Sequence, residues 1–204
     1  MKRCVIIGNA PISEFEKCRS YFKVDDYFVF CDGGLKHKEL LGVESDYIVG
    51  DFDSYEKPQN ADNMLILPTV KDDTDTFAAV KLMLEKGYSE FLLVGVIGER
   101  LDHTLGNVSI LLYLKNHNAN GVIIDDYSEM FLLKDTVKIA KDSCSYFSIV
   151  SLGERLEGVC ISGAKYPLEN ATIKNSYQFA VSNEPINDTE ITVDKGDALI
   201  IKVF

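Results

Sequence analysis

The sequence predicts an α/β domain on a mostly parallel sheet, followed by a smaller antiparallel β-sandwich, with the boundary near residue 126. Three observations carry this expectation. Up to Asp126, short apolar runs alternate with longer stretches of helical period, as in βα units. Beyond it the helical period disappears and short alternating segments take over. Turn residues such as Gly153-Glu154, Asn187-Asp188 and Lys195-Gly196-Asp197 separate those segments, as between the strands of a sandwich. The expected domains are residues 1–126 and 127–204.

In chain order, strands are expected over Arg3 to Gly8, Tyr27 to Cys31, Tyr47 to Gly50, Met64 to Leu67, Phe91 to Val96 and Gly121 to Asp125, each an apolar run bounded by turn or charged residues. Thr76 to Lys86 puts Phe77, Val80 and Leu84 on one helical face and meets a stop at Gly87. Thr104 to His117 reads as a second helix. His37 and His117 are expected on helix surfaces, solvated. In the second half the alternating segments are Met130 to Leu133, Val137 to Ala140, Tyr146 to Leu152, Gly158 to Ser162, Gln178 to Ser182, Glu190 to Val193 and Ala198 to Phe204.

Composition narrows the function. With 21 Lys+Arg against 32 Asp+Glu, the formal net charge is -11, which leaves no large basic footprint for nucleic acid or anionic lipid. An anionic substrate would need local cations or a metal. The five cysteines are odd in number and form no CxxC pair, which argues against a disulfide framework and a zinc site. The apolar Cys4-Val5-Ile6-Ile7 is too short for a signal segment and no later run is long enough to span a bilayer, so a cytoplasmic protein is expected.

Ligands of open α/β sheets bind beyond the carboxyl ends of the strands. Those positions are rich in aspartate here: Asp32-Gly33-Gly34 after the second strand, Gly50-Asp51-Phe52-Asp53-Ser54 after the third, Lys71-Asp72-Asp73-Thr74-Asp75 after the fourth and Gly98-Glu99-Arg100-Leu101-Asp102-His103 after the fifth. Converging carboxylates repel, by roughly 4 kcal/mol per pair at 4 Å and an effective dielectric near 20, unless a cation sits among them. All-oxygen donors favour Mg²⁺ or Mn²⁺, which are commonly shared between one or two carboxylates and substrate phosphates. An extended segment puts Asp51 and Asp53 on one side with Phe52 on the other. Gly33-Gly34 allows a tight turn and offers backbone N–H groups to a phosphate or ribose, and Arg100 can grip phosphate oxygens. Asp75 also suits helix capping, and His103 beside Asp102 fits a structural role as well as a supporting one. A DxD pair can instead serve a phosphatase, with Asp51 as nucleophile and Asp53 as acid/base, but that leaves the other three acidic loops unexplained.

The ordered set Asp32-Gly33-Gly34, Gly50-Asp51-Phe52-Asp53-Ser54, Asp72-Asp73-Thr74-Asp75 and Gly98-x-Arg100-x-Asp102-His103, followed by a β-rich half, resembles the thiamine pyrophosphokinase family over essentially the whole chain. The resemblance implies a Rossmann-like nucleotide-binding domain, a β-sandwich that binds thiamine where the two halves meet, a homodimer, and Mg²⁺-dependent transfer of diphosphate from ATP to thiamine. It implies Asp51, Asp53 and Asp75 as the metal ligands and, with Arg100, the catalytic set. It implies Asp32, Asp72, Thr74, Arg100 and Asp102 along the nucleotide and diphosphate site, with Gly33, Gly34 and His103 beside them and Asn9 as a nucleotide contact. Ser182-Asn183-Glu184 is similar to the family's thiamine signature. Lys71 stands where the family often has Gln, and with no tryptophan any ring stacked on thiamine must be Tyr or Phe.

Overall fold

The computed structural model describes residues 2–51, 63–68 and 72–204. They form two compact units, Met1–Asp126 and Tyr127–Phe204.

The first unit carries β1 (Arg3–Ile7), α1 (Phe15–Ser20), β2 (Tyr27–Cys31), a 3₁₀ helix (Asp32–His37), α2 (Lys38–Leu41), β3 (Tyr47–Gly50), β4 (Met64–Ile66), α3 (Asp75–Glu85), β5 (Glu90–Val94), α4 (Leu101–Asn116) and β6 (Asn120–Ile124). Its strands are all parallel, in the order β4-β3-β2-β1-β5-β6. The central strand reads Cys4-Val5-Ile6-Ile7 without alternation because both of its faces are covered, and all four residues are fully buried. Val5 and Ile7 join Phe30, Leu92 and Val94 against Cys18 of α1 and Leu41 of α2. α3 packs on β1, β2 and β3, and α4 packs on β6. The chain winds outward from β1 to β4 and then returns to β5 on the other side of β1, so the strand order reverses between β1 and β5. Such a reversal opens a crevice at the carboxyl ends of the two strands.

The second unit carries β7 (Ser128–Leu132), β8 (Thr136–Ile139), β9 (Tyr146–Ser151), β10 (Arg155–Ala164), β11 (Leu168–Lys174), β12 (Pro185–Thr192) and β13 (Ala198–Val203). All pairings are antiparallel: β7-β13-β9 in one layer and β11-β10-β12-β8 in the other. Phe147, Ile149 and Ile200 of the first layer share a core with Leu156, Val159, Ile161, Ile173 and Ile191 of the second. The α/β half followed by a β-sandwich is therefore the fold the sequence predicts.

One expected strand is absent. Gln178 to Ser182 is irregular because Ser182 turns into the left-handed region at φ 57, and side chains occupy places that a ladder would fill. Gln178 accepts from Ser151 N–H at 3.0 Å, and Ser148 Oγ accepts from Ser182 N–H at 3.0 Å. Conversely, β11 and the short α1 form where the alternation and the period were too weak to announce them.

Candidate functional site

A cleft of about 590 Å³ opens in the first unit, and its walls come from the chain just beyond the strand ends. Asn9, Ala10 and Pro11 follow β1, Cys31 ends β2 and Asp32 follows it, and Asp51 follows β3. Thr74 and Asp75 begin α3, while Gly95, Gly98 and Arg100 lead from β5 into α4. This is the crevice at the β1/β5 reversal. Backbone bonds close it from below, Gly8 N–H to Val94 O and Ala10 N–H to Gly95 O, both 2.8 Å.

Each acidic position is held by a local device. Asp32 is buried at a positive φ of 40, a conformation Asp tolerates better than most residues and one that recurs at functional sites. Gly34 lets the following helix press on the end of β1: a Cβ there would lie 2.5 Å from Ile7 O and 2.9 Å from Gly8 O. Thr74 caps α3, its Oγ1 accepting from Phe77 N–H at 3.2 Å, so Asp75 stands in the first turn at the positive end of the helix dipole. Asp32, Asp51, Asp75 and Glu99 line the cleft together with the basic Lys36 and Arg100, a local excess of negative charge. Burial, reinforced by Asp75, holds the Cys31 thiol well above its ordinary value, so it stays protonated here.

At the mouth, Arg100 and Asp102 form a fork, Nε to Oδ1 at 3.0 Å and Nη2 to Oδ2 at 2.7 Å. The guanidinium holds the Asp102 carboxyl well below the usual carboxylate range. Arg100 and the exposed His103 line the cleft, but Asp102 does not. Asp72 is exposed and stands outside the cleft, and Gly33 and Gly34 are buried behind its wall. Asp53 and Lys71 lie outside the described residues. Among the described residues no group of three or more His, Cys, Asp or Glu is arranged to hold a metal ion. Asp51 and Asp75, carboxylates on one cleft, are still the donor type and number that suit an ion shared with substrate phosphates.

Sequence reading missed two residues that hold the cleft wall, Lys36 on its lining and His37 behind it. His37 is buried, not solvated: its ring packs on Phe15 at 6.0 Å and its Nε2 lies 2.9 Å from Ala10 O. Lys36 reaches Asn9 O and Oδ1, both at 2.7 Å. The signal available was a cation and an imidazole one residue beyond a Gly-Gly turn. His117 is exposed as expected, with Nδ1 2.8 Å from Tyr113 O.

In the second unit an apolar pocket of about 240 Å³ is lined by Ile161, Tyr166, Leu168, Phe179, Val181 and the buried Asn183. The Asn183 amide is spent on backbone: Oδ1 accepts from Tyr166 N–H at 3.0 Å and Glu184 N–H at 2.9 Å, and Nδ2 donates to Tyr166 O at 2.8 Å. Ser182 is exposed and does not line this pocket.

Comparison with known proteins gives a consistent result. Residues 18–123 match a sequence profile described as thiamin pyrophosphokinase, catalytic domain, and residues 134–198 one described as thiamin pyrophosphokinase, vitamin B1 binding domain. A Bacillus subtilis protein named thiamine pyrophosphokinase is 26% identical over 195 residues, 92% of this chain and 91% of that one. Thiamin pyrophosphokinase 1 of Caenorhabditis elegans is 22% identical over 217 residues, 98% of this chain and 88% of that one. The crystal structure of the Bacillus subtilis enzyme superposes with a TM-score of 0.86 at 24% identity, covering 100% of this chain and 99% of that one. A Geobacillus thermodenitrificans thiamin pyrophosphokinase structure gives 0.82 at 26%, covering 100% and 98%.

Proposed function

The chain belongs to the thiamin pyrophosphokinase family and transfers diphosphate from ATP to thiamine, and we propose that it does so with Mg²⁺ held by Asp51, Asp53 and Asp75 in the cleft of the first unit. The observation that carries the site assignment is the excess of carboxylate in a polar cleft at the strand reversal, which on its own would repel a polyphosphate. A divalent ion reverses that balance and neutralises charge on the phosphate oxygens.

The chain's own groups then position the reactants. Asp32, Thr74, Asn9 and His103 line the nucleotide, while Asp72, Gly33, Gly34 and Asp102 support it from the rim and from behind the wall. Arg100, released from Asp102 by a competing polyphosphate, offers the same two-pronged donor to phosphate oxygens. The hydroxyl of thiamine attacks the β-phosphorus and AMP leaves, a transfer that depends chiefly on alignment and charge stabilisation.

For thiamine we propose the second unit, with Ser182-Asn183 at its edge. Support comes from the pocket beside Asn183, where Tyr166 and Phe179 offer rings to a partly apolar cation and the Asn183 amide fixes the Tyr166 backbone. We also propose a homodimer, motivated by the exposed Tyr166, Phe179, Val181 and Ile186, and a cytoplasmic location. The five cysteines are all free, and no described helix is long and apolar enough to cross a membrane. Release of AMP from ATP that requires both thiamine and Mg²⁺, and stops in EDTA, supports this reading. Thiamine-independent release of inorganic phosphate would point to a phosphatase, and no turnover to a nucleotide-binding module.

A further inference from the structure

We infer that Lys36 and His37 are positioning residues that set the Asn9-Ala10 wall of the cleft for nucleotide binding, an inference resting on the nucleotide reading of that cleft. Both follow the Asp32-Gly33-Gly34 turn, and both reach back to the chain beyond β1. Two separate segments are thereby stitched together by adjacent side chains.

The chemistry of each bond is unambiguous. An ammonium only donates, so the Asn9 side-chain atom facing Lys36 Nζ at 2.7 Å is the amide oxygen, and the NH₂ is turned the other way. A carbonyl only accepts, so His37 Nε2 carries the hydrogen directed at Ala10 O, 2.9 Å away. The amide of Asn9 lies against the bare Cα of Gly33, where an added Cβ would come within 2.6 Å of Oδ1. Glycine, lysine and histidine thus fix one amide and one carbonyl.

The consequence is an oriented donor. In a cleft lined by Asp32, Asp51, Asp75 and Glu99, a neutral N–H donor is valuable for an anionic or ribose oxygen. Lys36 commits the Asn9 oxygen and leaves Asn9 to meet a ligand as a donor. His37, packed on Phe15, keeps the Ala10 carbonyl from swinging into the space.

The test uses the full-length protein and fluorescent N-methylanthraniloyl ATP with Mg²⁺ and no thiamine, so it is independent of turnover. Lys36→Met and His37→Phe should each weaken binding roughly tenfold, the scale of losing one positioning hydrogen bond. His37→Gln, whose amide can replace Nε2–H, should restore parental affinity. A melting curve for every variant separates folding from binding; Lys36 is exposed, so its variant should melt like the parent. Parental affinity in both Lys36→Met and His37→Phe overturns the inference, as does equal weakening in His37→Gln and His37→Phe, which would make the ring's packing responsible. If the parent binds the probe, the nucleotide reading stands whatever the variants do; if it binds none, that reading fails and this inference with it.

Discussion

Asp75→Asn removes charge while preserving shape, and the structure allows its two consequences to be sized separately. Asp75 lines the cleft at the start of α3, and the cap from Thr74 Oγ1 to Phe77 N–H at 3.2 Å does not involve its carboxylate. Losing the charge from the first turn costs about 0.3–1 kcal/mol of helix-dipole interaction. Relief of repulsion from Asp32 and Asp51 on the same cleft offsets part of that. The melting temperature should therefore move by no more than about 2 °C. For a bound ion the loss is larger: a carboxylate about 4 Å from a cation contributes ~4 kcal/mol per unit charge at a dielectric near 20. Allowing roughly half for desolvation and for water replacing the ligand leaves ~2 kcal/mol, or a fall in kcat/KM of about 30-fold. The assay is thiamine-dependent AMP release across a Mg²⁺ titration, with a melting curve on the same preparation. Parental activity and Mg²⁺ dependence in a folded Asp75→Asn protein would refute the assignment of this carboxylate to the metal.

Gly34→Ala should drive a methyl group into the carbonyls of Ile7 and Gly8 at the end of the central strand, where neither side yields cheaply. A loss of about 2 kcal/mol follows, a fall of roughly 4–8 °C in melting temperature by calorimetry, with weakened nucleotide binding. Asn183→Leu should strand Tyr166 N–H and O and Glu184 N–H, costing about 3 kcal/mol in denaturant unfolding. Burial lowers the His37 pKa, with Lys36 adding to it and the Ala10 bond and Asp126 opposing. The unfolded chain takes up that proton first as pH falls, so stability should decline below the ordinary value of 6.5, and His37→Gln should flatten the decline in unfolding measured against pH.

Strand positions at the centre of the first unit were legible because burial on both faces turns a strand into an unbroken apolar run, as Cys4-Val5-Ile6-Ile7 shows. The acidic cleft was legible for a related reason: a parallel sheet sends every strand's sequel to one edge, so Asp32, Asp51 and Asp75 could be grouped without coordinates. What failed depended on long-range partners. Nothing local says that Gln178 will bond Ser151 through its side chain instead of extending a ladder, or that Ser182 will adopt a positive φ. His37 looked solvated because its acceptor, Ala10 O, is 27 residues away along the chain. The amide of Asn183 likewise bonds the backbone of Tyr166, 17 residues back, a partner that nothing local announces.

The position of bond cleavage in the donor tests the central claim most directly. With ATP labelled at the β-phosphorus, thiamine and Mg²⁺, a diphosphate transferase places the label in thiamine diphosphate and releases unlabelled AMP. Label retained in ADP, with thiamine monophosphate as the other product, would show transfer of the terminal phosphate alone and contradict the account.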